Sequence, residues 1–147
     1  MKETHGEDSA RVSRILVAVD GSESSRRAIE LASEIAAALE AEITIIHIIQ
    51  IEELPTLIGE AEDVRADEEA QIVLGMATKL AQAKGAEPEI VVRRGHPANQ
   101  ILRFAATYSP DLIVLGTRGA TGAKGVIMGS VSTAVSRKAD CSVVLVR

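Results

Sequence analysis

Leu112-Ile113-Val114-Leu115-Gly116-Thr117-Arg118-Gly119 is the stretch that decides the fold. Four apolar residues without alternation read as a strand covered on both faces, because a strand with one wet face alternates polar and apolar side chains. Gly116 closes the run and Gly119 follows it. Gly129-Ser130-Val131 then opens a short amphipathic segment ending in Arg137-Lys138. A backbone without side chains lets amide groups approach an anion, and a helix start adds unpaired N–H donors and partial positive charge. Strand, glycine loop, Gly-Ser pair and a last helix near 130–138 therefore predict a phosphate cradle.

The same alternation recurs upstream. Arg14–Val19 is a nearly all-apolar run, and Asp20-Gly21-Ser22 turns from it into a helix with Ala28, Leu31, Ala32, Ile35 and Leu39 at helical spacing. Ser22 suits the N-cap, and Glu23 complements the dipole in the first turn. Glu42–Ile49 is the second strand. Residues 50–61, with Pro55 and Gly59, read as an exposed loop. The acidic stretch Glu60–Glu69 leads into a helix with an apolar stripe of Val73, Met76, Ala77 and Leu80, which Gly85 ends. Glu89–Arg93 is the third strand. Pro97 fits the first position of a helix carrying Ala98, Ile101, Leu102 and Ala105. Asp111–Leu115 and Ser142–Val146 complete the strands. The order βαβαβαβαβ predicts an α/β fold: a single doubly wound parallel sheet of five strands with four helices. Residues 1–13, polar and mixed in charge, are expected to form a flexible N-terminal tail ahead of one domain spanning 14–147.

Composition narrows the function. A chain of 147 residues buries a core without disulfides or metals. Phe104 and Tyr108 are the aromatic residues, so the core is Ile, Leu, Val and Ala, and no aromatic platform exists for stacking successive bases. A net charge of −5 argues against a general nucleic-acid or anionic-membrane binder. The lone Cys141 excludes an internal disulfide and reads as a small buried hydrophobe in a reducing compartment. No apolar run approaches the roughly 20 residues that span a bilayer, and the start of the chain lacks a signal-like apolar core. The expected location is the cytoplasm. The three histidines and the cysteine show no metal-ligand spacing.

Ligands of open parallel sheets sit beyond the carboxyl ends of the strands, where strand order reverses. If the first strand neighbours the fourth, Asp20 and Gly116 flank one crevice. Asp20-Gly21 also reads as an ordinary turn in which Asp binds its own backbone, and the residues alone leave both readings open. The glycine loop lacks the Gly-Lys-Ser/Thr ending of a P-loop and does not follow the first strand as a dinucleotide fingerprint does. Lys124 reads as a solvated loop charge, His47 as a hydrogen-bonded structural residue, and His96 as a residue near the crevice rim. The acidic run reads as a solvated helix face.

Gly116-x2-Gly119-x9-Gly129-Ser130 resembles the nucleotide-binding pattern G-2x-G-9x-G-S/T of the universal stress protein family. Similar pieces run along nearly the whole chain: Ile15–Ser22, Ile45–Ile48, Gly95–Ala98, Pro110–Gly119 and Ser142–Val146. The resemblance implies strand order 3-2-1-4-5, ATP binding with Mg2+, and a homodimer. Residue by residue, it implies that Asp20 and the backbone around Ile48 hold the adenine and ribose side, with Ala18 lining the pocket. Leu115 and Gly116 would border the ribose and α-phosphate, while Gly119, Gly129, Ser130 and Val131 would hold the phosphates. Thr117 and Arg118 belong to the same loop.

The implied function is a cytoplasmic ATP-binding stress-response or signalling module. Two alternatives stand beside it. One is a slow Mg-dependent ATPase, in which Asp20 places the metal and Arg118 neutralises charge, although no general base or dedicated phosphate lysine is evident. The other is a nucleotide-independent adaptor that dimerises through the C-terminal strand, Ser142–Val146, as an exposed edge. On the first reading, Gly116→Val and Gly129→Val are each expected to block nucleotide binding while leaving the domain folded.

Overall fold

The chain builds five strands and four helices in strict alternation: β1 (Arg14–Val19), α1 (Glu23–Leu39), β2 (Glu42–Ile49), α2 (Gly59–Ala83), β3 (Glu89–Arg94), α3 (Pro97–Tyr108), β4 (Leu112–Gly116), α4 (Ser130–Lys138) and β5 (Ser142–Val146). The computed structural model describes residues 11–51, 59–117 and 129–147. All strand pairs are parallel and the sheet order is β3-β2-β1-β4-β5. This is the expected α/β architecture and strand order.

The absence of alternation in the strands has a direct cause. Ile15, Val17, Ile43, Ile45 and Val114 face Ala28, Ala32, Ala77 and Ala81 of α1 and α2. Their neighbours in sequence, Leu16, Ile46, Ile113 and Leu115, face Ala98 and Ile101 of α3 and Val135 of α4. Both faces are dry, so both sets must be apolar. Alanines on the helices let them lie close to branched strand residues, which is how a core with almost no aromatic residues still fills its volume.

Several boundaries differ from expectation. α2 begins at Gly59, so the acidic run lies within the helix rather than ahead of it. Glutamate and alanine are good helix formers, and acidic residues near an N-terminus suit the dipole. The loop expected over 50–61 is thereby shortened, and Pro55 lies outside the described residues. The buried line of α2 is Ala70, Ala77 and Ala81, flanked by half-buried Val73, Leu74 and Leu80. Met76 falls off that line and is 42% exposed, as is Leu39 at the end of α1. β3 runs one residue further, to Arg94. β4 spans Leu112–Gly116 rather than Asp111–Leu115.

Asp111 has another task. Its Oδ2 accepts hydrogen bonds from the Ser13 amide at 2.8 Å, the Ser13 hydroxyl at 2.9 Å and the Arg14 amide at 2.9 Å, tying the entry of β1 to that of β4. The backbone donors of Ser13 and Arg14, then the Ser13 hydroxyl, hold its carboxyl below the usual carboxylate range. A depressed folded-state pKa means that the unfolded chain takes up the proton first as pH falls. The stabilisation is therefore present above about pH 4 and disappears as pH falls through the folded value. Because the carboxylate is exposed, Asp111→Asn is expected to cost only about 1 kcal/mol at pH 7. That difference should shrink below about pH 3. Urea melts at both pH values check this; an equal deficit at each would reject the carboxylate's role.

Candidate functional site

The site is built at the carboxyl end of the sheet, between β1 and β4. From β1 the chain winds to β2 and β3 on one side, while β4 and β5 lie on the other, so the strand order reverses at this point. β1 ends at Val19 and the corner Asp20-Gly21-Ser22 follows. Asp20 Oδ1 accepts from the Ser22 amide at 2.9 Å, and Gly21 adopts φ +83°, a conformation strained for side-chain-bearing residues. Ser22 Oγ then accepts from the Ser25 amide at 3.2 Å and caps α1. The ordinary turn reading of Asp20 is therefore present, and the same residue also lines the crevice. The two readings are compatible.

Across the crevice the glycine loop is pinned at both ends. The Thr117 amide donates to Val146 O at 2.8 Å, and the Gly129 amide donates to Thr117 O. The Ser132 hydroxyl, on a residue 2% exposed, donates to Gly129 O at 3.0 Å. The loop thus leaves and returns at one place, the first turn of α4. Gly129 is the N-cap there, in extended conformation and without a side-chain capping bond. Glycine has no side chain with which to cap the helix, so the first amides of α4 depend on some other acceptor.

Between these walls lies a cavity of ≈ 500 Å³, within the range of small-molecule pockets. Ala18, Asp20, Ile48, Leu115, Gly116, Thr117, Gly129, Ser130 and Val131 all line it, so topology brings together nine of the residues singled out from sequence. Arg118, Gly119 and Lys124 lie outside the described residues. Ile46, Ile48, Leu115, Val131 and Ile101 supply apolar wall, and no lysine or arginine lines the cavity among the described residues. A negative group would be met here by amides and hydroxyls.

Some lining residues escaped the sequence reading. Ala66, Glu69 and Val73 come from α2, and Pro97 and Ile101 from α3. His47 also lines the cavity while acting structurally: its Nδ1 lies 2.7 Å from Val19 O. A carbonyl only accepts, so Nδ1 carries the proton of this bond. His96 sits at the N-cap position of α3, exposed and without a capping bond. Cys141 is partly buried, and that burial raises its thiol pKa, as befits an inert side chain.

Two residues have properties the motif does not disclose. A Cβ on Gly116 would fall 2.8 Å from the Ser24 carbonyl carbon and 2.9 Å from its Cβ, and against its hydroxyl. Gly116 is therefore required for α1 to approach β4, whatever binds nearby. Thr117 is 6% exposed, and its Oγ1 has no hydrogen-bond partner among the described residues. A buried, unsatisfied hydroxyl beside a cavity is a group still lacking a partner.

A five-stranded parallel sheet with a crevice at its switch point defines a doubly wound α/β domain. The family model of the universal stress proteins matches residues 11–147, and the chain belongs to that family. Universal stress protein YxiE of Bacillus subtilis is 33% identical over 145 residues, covering 91% of this chain and 98% of its own. Universal stress protein UspA from Lactobacillus plantarum superposes with a TM-score of 0.84 at 25% identity, over 93% of this chain and 99% of that one. A universal stress protein solved in complex with cAMP gives a TM-score of 0.74 at 29% identity, over 93% and 98% of the respective chains. Among the described residues, no helix is long and apolar enough to cross a membrane.

Proposed function

We propose that the chain is an ATP-binding universal stress protein acting in the cytoplasm, whose nucleotide occupancy sets the state of a stress-response or signalling module. The observation that carries this reading is the junction of Thr117, Gly129 and Ser130, all lining one crevice: a helix start without a side-chain cap, beside a buried hydroxyl that has no partner among the described residues. Amides at a helix N-terminus suit phosphate oxygens, and the aliphatic wall suits a flat base. The related cAMP complex supports an adenine nucleotide as the ligand class. On this reading Asp20 and the backbone around Ile48 would hold the adenine and ribose side, and Mg2+ would accompany the phosphates. The remaining site residues, Arg118 and Gly119, belong to this proposal on the motif's spacing.

Mass spectrometry of the small molecule released from purified protein, followed by calorimetric titration with Mg-ATP, tests the reading. No binding of any adenine nucleotide would overturn it. Thr117→Val offers a sharper check, because it removes the unsatisfied hydroxyl at nearly constant volume. It should raise the stability of the ligand-free protein by about 1 kcal/mol and weaken ATP roughly ten-fold, the worth of one hydrogen bond in binding. Gly129→Val remains a fair binding probe, since φ −75° and ψ 164° are open to valine. It should reduce ATP affinity while the thermal melt stays near that of the parent.

The proposal extends to a homodimer through β5. That strand forms one edge of the sheet, and Val143, Val144, Leu145 and Val146 are all only half-buried. An apolar edge of this kind favours pairing with a second copy. Light scattering that finds only monomer at assay concentrations would remove this part of the reading.

A further inference from the structure

Along α3, beside Phe104 and Tyr108, which also pack against the core, lies a second cavity of ≈ 740 Å³, lined by Arg14, Glu42, Arg93, Arg103, Phe104 and Tyr108, among others. It is cationic on a chain of net charge −5: three arginines face it with one carboxylate. Both aromatic residues of the chain are here, and they are stacked, with ring centroids 5.3 Å apart. The Arg93 guanidinium lies 5.6 Å from the Phe104 centroid and that of Arg14 lies 5.7 Å from the Tyr108 centroid. The result is a four-membered pile, Arg93-Phe104-Tyr108-Arg14.

This order has chemical consequences. Each ring is contacted by its aromatic neighbour and by a guanidinium, so a nucleobase would compete with both for the ring surface. What remains is the donor-bearing edges of the arginines. Guanidinia held against rings lose less freedom on binding than mobile side chains do, and their planar forks match carboxylates. Arg93 also donates to Val92 O at 3.0 Å, and Arg14 donates to Tyr108 O at 3.0 Å, which holds both further in place. Glu42 sits 3.7 Å from Arg14 and tempers that end. Arg103 is exposed and makes no hydrogen bond or ion pair with another described residue. The Tyr108 hydroxyl is buried and likewise lacks a partner among the described residues.

The spacing selects the ligand's shape. Arg14 pairs with Glu42 at the start of β2, whereas Arg93 pairs with Ile48 near its end. Their side chains lean toward each other over the stacked rings, and the ring distances bring the two guanidinia to within about 17 Å. One phosphate or carboxylate does not reach both ends of the pile; an extended chain of about five residues does, at roughly 3.3 Å per residue. We propose that this groove is a docking site for an extended acidic peptide segment of a partner protein, read by Arg93 and Arg103 and, at the far end, Arg14. The inference does not depend on the nucleotide reading, because the groove shares α3 with the crevice but none of its lining residues.

The test is fluorescence anisotropy with labelled hexaglutamate on the full chain. We expect saturable binding that weakens as NaCl rises from about 50 to about 200 mM. Arg93→Ala/Arg103→Ala should weaken it at least ten-fold, and Arg93→Lys/Arg103→Lys should also weaken it, because an ammonium lacks the planar fork. ATP titration of each variant should match the parent. If Arg93→Ala fails to fold, Arg103→Glu alone serves in its place and should weaken binding likewise, since Arg103 makes no hydrogen bond or ion pair among the described residues. Absence of hexaglutamate binding, equal affinity in the lysine variant, or equally tight binding of a single-stranded DNA hexamer to the same arginines would each overturn the proposal.

Discussion

Gly116→Ala is expected to destabilise the domain by about 3 kcal/mol or more, the upper end for overpacking a filled site. For a chain of this size that is roughly 10 °C in Tm. The reason is that the added Cβ would meet backbone, not the far end of a flexible side chain: the Ser24 carbonyl carbon would be 2.8 Å away. Ser24 is itself 6% exposed in the first turn of α1, so relief requires the helix to retreat from β4. Differential scanning calorimetry of the ligand-free protein reads the effect. An unchanged melt would mean that α1 yields easily there. This outcome replaces the expectation that Gly116→Val blocks nucleotide binding in an otherwise intact fold; a valine at 116 is a poor probe of the site because it disturbs packing first.

Ser130→Glu is the second large effect, and its two consequences have opposite signs. Position 130 is the first residue of α4, exposed, and lines the crevice. A carboxylate in the first helical turn favours the helix by about 0.3–1 kcal/mol, so the melt should hold or rise. The same charge occupies the place proposed for a phosphate, where like charges cost several kcal/mol. ATP affinity should therefore fall at least a hundred-fold by calorimetry. Ser130→Ala, which only deletes a hydroxyl, should lose about ten-fold at most. Parent-like ATP affinity in Ser130→Glu would detach α4 from the phosphate site; a lower melt would show that its helix start is already satisfied.

How much could be read in advance varied by element. The strands were plain, because residues 15–17, 43–46 and 112–115 are buried on both faces, and runs that are apolar throughout, or but for Thr44, are the signature of that state. The corner at Asp20 and the Gly129-Ser130 helix start were also plain, since turn and cap chemistry is local. α2 was less so. The apolar stripe of its sequence runs through Met76, which is exposed, because on a helix rich in alanine the contact line is set by small residues that carry little hydrophobic signal. Ala66, Glu69 and Val73 could not be assigned to the crevice from sequence, as nothing in α2 records which strand end it will cover.

The amino-acid order by itself determined the alternation of strands and helices and the glycine spacing, both properties of neighbours along the chain. Only the tertiary structure decided that Gly116 is held by the backbone of Ser24, that His47 bonds Val19 O and lines the cavity, and that Arg93 and Arg14 flank the stacked Phe104 and Tyr108. Periodicity reports whether a residue is covered. Which atoms cover it depends on contacts between segments far apart in sequence, and those exist only once the helices have docked on the sheet.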